Sequence, residues 1–80
     1  MYVIDANYKK NYIIDIQFSN KKVKSVDFES FLNANYNTLF EKYKNIEIFK
    51  SFKIEDGKLV WGDNWELIFP TKDLYDQNLH

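Results

Sequence analysis

The chain has 80 residues and a net charge of −1, enough for one small domain that buries only about 60% of the surface its unfolded chain exposes. It contains no cysteine and no arginine, which excludes disulfides and thiolate metal sites and removes the bidentate fork best suited to phosphate and guanine. Apolar runs never exceed four residues and the start "MYVIDANYKK" lacks the order of a signal peptide, so a soluble, cytoplasmic protein is expected.

Two features offset the small size. Hydrophobic residues make up 45% of the chain, and the seven Phe, six Tyr and two Trp each bring a large area to bury, so a dense aromatic core is expected. Charge is polarised along the sequence. Lys9, Lys10, Lys21, Lys22 and Lys24 face only Asp15 between residues 9 and 24, whereas Glu55, Asp56, Asp63, Glu66, Asp73 and Asp76 outnumber Lys58 and Lys72 between 55 and 76. Such asymmetry can steer a charged partner, although solvated faces are its commoner origin.

In chain order, "NYIIDIQF" alternates Tyr12, Ile14, Ile16 and Phe18 with Ile13, Asp15 and Gln17, the period of a half-buried strand. The β-rich "YVIDANY" before it, and "SNKK" leading into "KVKSVDF" after it, extend this to a three-stranded antiparallel meander over residues 2–28. Asp27 is placed to cap a short helix with Phe28, Phe31 and Leu32, which Asn33 and Asn35 can end. A second helix over 37–44 would align Tyr36, Leu39, Phe40 and Tyr43, and "NIEIF" adds a turn capped by Asn45 with Ile46 and Phe49 inward.

Strand alternation returns in "SFKIEDGKLVW", where Asp56-Gly57 signals a two-residue hairpin. Gly62, Asp63 and Asn64 form the next turn, followed by Trp65, Leu67 and Phe69 alternating with Glu66 and Ile68. Trp61 and Trp65 then flank that turn on facing strands, a candidate cross-strand aromatic pair. Pro70 stops the strand, and Thr71 is expected to cap a final turn, "KDLYD", that folds Leu74 and Tyr75 back on the core. The reading is a single α+β domain over residues 1–80: two antiparallel three-strand ribbons flanking a central helical region, with a short C-terminal helical turn.

No catalytic set can be assembled from these residues. The sole histidine is His80 at the chain's end, where a general base lacks a fixed orientation. Two glycines, Gly57 and Gly62, are too few for a phosphate loop, and Asp63, Glu66, Asp73 and Asp76 follow no calcium-loop spacing. No catalytic residue, cofactor or metal is therefore expected. Tryptophan is enriched among interface hot spots, which makes "WGDNW", with Trp61, Asp63, Asn64 and Trp65, one candidate partner surface, and the strand around Lys22 and Lys24 another. The alternative is a nucleic-acid-binding accessory role for the lysine-bearing N-terminal hairpin with Tyr8 and Tyr12, which the near-zero net charge disfavours.

The run from "IDIQFSNKKVKSVDF", through the aromatic helical middle, to "FKIEDGKLVWGDNWELIFPTKDLYD" resembles the small bacterial family called domain of unknown function 2442. "SNKK" stands where many members have glycine in the first turn. The resemblance implies a compact α+β domain without established catalytic residues. It also implies a cognate small toxin-like protein encoded beside it, with this chain as the antitoxin-like partner; a homo-oligomer stays open.

Overall fold

The computed structural model describes residues 1–34 and 38–79, with side chains described at all of these except 38 and 39. Strands β1 (Val3–Lys10), β2 (Ile13–Phe18) and β3 (Val23–Asp27) form an antiparallel meander. The register sets Tyr8 and Val26 on either side of Ile14, and Ala6 and Lys24 on either side of Ile16. Period-two alternation then sends Ile14, Ile16 and Phe18 inward, all fully buried, while Asp15 turns outward to Ser25 Oγ at 2.5 Å.

The turns follow from local chemistry. At "SNKK", Asn20 Oδ1 accepts from the Lys22 N–H at 3.1 Å, and Lys21 takes a φ of +75°, a left-handed conformation that glycine adopts at no steric cost. At the next hairpin, Asp56 and Gly57 have φ of +51° and +72°, as a two-residue turn between paired Glu55 and Lys58 requires. Gly57 has a second constraint. A Cβ there would stand 2.7 Å from Tyr2 Cβ, because the Gly57 carbonyl accepts from the Val3 N–H at 2.7 Å. That bond joins the two sheets.

The second sheet is β4 (Lys53–Glu55), β5 (Lys58–Trp61) and β6 (Leu67–Ile68), antiparallel in that order. Between the sheets the chain runs through α1 (Glu29–Ala34), α2 (Thr38–Glu41), a 3₁₀ turn (Lys42–Lys44) and α3 (Ile46–Phe49). Asp27 accepts from the Glu29 N–H and Asn45 from the Glu47 N–H, both at 2.9 Å, so both expected caps form. The roles expected for Asn35, Tyr36, Asn37 and the Leu39 side chain fall outside the described residues, as does His80. In α3, Phe49 is buried and Ile48, rather than Ile46, packs on the core.

Helix α4 (Thr71–Asp76) closes the chain on the core through fully buried Leu74. Thr71 does not cap it. Pro70 occupies the capping position and no side chain caps there; proline lacks the N–H, its fixed φ suits a helix start, and Thr71 is already the first helical residue. At the far end Gln77 is left-handed at φ +55°, so that the Asn78 N–H reaches the Asp73 carbonyl at 2.9 Å and satisfies a helix-end acceptor. The fold is α+β. Its radius of gyration, 11.7 Å, matches the roughly 11.6 Å of a compact chain this long.

Candidate functional site

Trp61 occupies the centre of the core. It lies on β5 opposite Leu67, is fully buried, and its ring has five aromatic neighbours, Phe28, Tyr43, Phe49, Phe52 and Phe69, with centroids 5.5–6.3 Å away. All but the tilted Phe49 contact are edge-to-face, and such pairs add about 0.5–1.5 kcal/mol each beyond the area they bury. The indole N–H donates to the Phe49 carbonyl at 2.7 Å. No partner can touch this residue, which removes Trp61 from the candidate partner surface.

Trp65 has a different fate. Because Leu67 takes the place opposite Trp61, the two indoles do not face each other across the strands, and the expected aromatic pair is replaced by a five-residue connection over 62–66. Within it Gly62 has φ +85° and Trp65 φ +54°, a left-handed backbone that is a genuine outlier for so bulky a residue. The half-buried indole lies over the outer face of the second sheet. Its N–H donates to Glu55 Oε2 at 2.5 Å and Lys58 Nζ sits 5.5 Å from its ring centroid. Lys53, Val60 and Ile68 are in register on that face, and Val60 is fully buried although it points away from the central core.

The neighbours of Trp65 are open. Asn64 is exposed, and the Asp63 side chain is fully exposed, with Lys53 3.8 Å away. Lys53 also pairs with Glu55 at 3.0 Å. The indole hydrogen bond, then Lys53, holds the Glu55 carboxyl below the usual glutamate value, so this carboxylate stays ionised and keeps its grip on Trp65. Behind the same loop Glu66 is held by Lys42 and accepts from the Tyr43 hydroxyl at 2.5 Å. These two bonds, Lys42 first, pull the Glu66 carboxyl down, while burial, then Glu66 itself, pushes the Tyr43 phenol far up.

The lysine-bearing strand is less available than its sequence suggests. Lys24 is half-buried, donates to the Tyr75 carbonyl at 2.8 Å and lies 3.7 Å over the Tyr75 ring, which ties β3 to α4. Lys22 is exposed. A hydrogen bond from Asn20, then the charges of Lys22 and Lys24, draws the Tyr75 phenol below its usual value. Nor do the N-terminal lysines gather into one patch. Lys9 and Lys10 lie at one end of β2 and Lys21 and Lys22 at the other, about 20 Å apart for a six-residue strand.

One groove remains. Phe31, Phe40, Leu67 and Phe69 wall a cavity of about 320 Å³ beside β6 and α4, with Glu66 and Asp73 among its lining, at the lower end of the roughly 300–1,000 Å³ that hold ligands. Sequence reading missed it, since contacts between residues so distant in the chain leave no local signal. No family model, curated protein or solved structure matches the chain. Among the described residues no group of three or more His, Cys, Asp or Glu could hold a metal ion, and no helix is long and apolar enough to cross a membrane.

Proposed function

We propose that this chain is a non-enzymatic protein-interaction module, the antitoxin-like partner of a small toxin-like protein encoded beside it, and that Trp65, Asp63 and Asn64 meet that partner. One observation carries the reading. Trp65 is held in a left-handed backbone, with its indole fixed on a solvent-facing sheet surface by Glu55. Strain of about 1–3 kcal/mol persists only where the surroundings over-determine it, and such residues cluster at recognition sites. A pre-ordered tryptophan loses little entropy on docking and is a typical hot-spot anchor. The exposed acid at Asp63 adds a charge to steer a basic partner.

Co-expression with the adjacent gene product tests it. A stoichiometric complex that survives Lys10→Ala and is lost in Trp65→Ala is the expected result. Absence of a complex, or one indifferent to Trp65, contradicts the proposal.

A further inference from the structure

Among the described residues the order β4-β5-β6 leaves β6 with a strand on one side only, and β6 forms a wall of the groove beside α4. An unpaired strand edge continuous with a pocket of mixed apolar and polar lining is the geometry that receives an extended peptide: backbone bonds supply affinity and the pocket reads alternate side chains. Pro70 follows immediately and has no N–H to offer, so the ladder an incoming strand can build ends there.

The groove also selects a charge. Its ionisable lining residues, Glu66 and Asp73, are both acidic. Glu66 is engaged by Lys42 and Tyr43. Asp73 is half-buried, and its carboxylate makes no hydrogen bond or ion pair among the described residues. A half-buried carboxylate without a partner has the most to gain from an added cation.

We propose that the β6 edge and this groove receive an extended, basic segment of the partner polypeptide. Its backbone pairs with Leu67–Ile68, one large apolar side chain enters the groove and packs against the wall formed by Phe31, Phe40 and Phe69, and a lysine or arginine beside it pairs with Asp73. This rests on the interaction-module reading and adds the chemistry of the segment that is bound. Continuity of the pocket with the strand edge is what favours a polypeptide over a free amine.

The test is an amide-shift titration of the isotope-labelled full chain with two capped pentapeptides, each with phenylalanine at its centre, one ended by lysines and one by glutamates. The lysine peptide should move the Leu67, Ile68 and Asp73 amides and bind about fivefold more tightly than its acidic counterpart, the scale of one exposed ion pair. Asp73→Asn should abolish the preference, whereas Asp76→Asn, on the same helix, should retain it. Equal affinities, shifts elsewhere on the surface, no shifts at millimolar peptide, or concentration-dependent shifts of these amides without peptide, which would place a second copy in the groove, each overturn the proposal. If the complex with the encoded neighbour persists in Asp73→Asn and is lost in Trp65→Ala, the interaction module stands and the groove falls; selective peptide binding without such a complex gives the reverse.

Discussion

The indole N–H of Trp61 donates to the carbonyl of Phe49, 2.7 Å away in the fully buried centre of the molecule. This bond fastens the second sheet to α3, and the ring of Phe28, the residue before α1, packs on both Phe49 and Trp61. Trp61→Phe removes the donor, leaves a buried carbonyl unpaired and opens space among five rings. The expected loss is about 2–4 kcal/mol, a large part of the roughly 4–12 kcal/mol available to a chain of this size. Urea unfolding followed by far-ultraviolet circular dichroism measures it.

Two turn substitutions should move stability in opposite directions. Gly57→Ala places a Cβ 2.7 Å from Tyr2 Cβ at a φ of +72°, so the join between the sheets must shift, and a loss of about 2 kcal/mol is expected. Lys21→Gly relieves a side chain held at φ +75° and should gain about 0.5–1 kcal/mol, the left-handed penalty less the added freedom of the unfolded chain. Thermal melts of the two variants beside the parent decide it.

Stability should fall at both ends of the pH range, for reasons on two side-chain clusters. Glu66 and Glu55 titrate below the ordinary glutamate value of 4.5 when folded. The unfolded chain therefore takes up protons first, and stability present above that value is lost as pH falls through the folded ones. The Tyr43 phenol is raised above its ordinary 10.0, so its contribution is intact below pH 10 and is lost above it, where the unfolded chain ionises first. Glu66→Gln should flatten the acid limb in a series of urea midpoints against pH; an unchanged limb would place the titration elsewhere.

Much of this fold was legible because its signals are local. Ile14, Ile16 and Phe18 announced their strand by period, Asp56-Gly57 its turn by backbone need, and Asp27 and Asn45 their helix starts by side-chain reach. The misses share a cause as well. Nothing in the chemistry of a tryptophan advertises a positive φ, so Trp65 read as a strand residue opposite Trp61. Lys24 reads as part of a partner surface because its contact with Tyr75 spans about fifty positions of chain. Thr71 read as a cap because Pro70, one residue earlier, was taken only as a strand stop. The strand-edge groove, built from Phe31, Leu67 and Asp73, exists only in three dimensions.

Trp65→Ala should separate recognition from folding. The half-buried indole's burial and its contacts with Glu55 and Lys58 are lost, at a cost of about 1–2 kcal/mol for a partly exposed side chain, while the core around Trp61 is untouched. Amide dispersion should be kept in the variant and complex formation with the encoded neighbour lost.

The division of labour between the tryptophans, Trp61 as the buried centre and Trp65 as a held but accessible ring, is tested most directly by acrylamide quenching of intrinsic fluorescence. The parent should show one readily quenched, red-shifted population and one protected, blue-shifted population, and Trp65→Phe should delete the first and leave the second unchanged. Ready quenching in Trp65→Phe, where Trp61 is the sole emitter, would contradict the account.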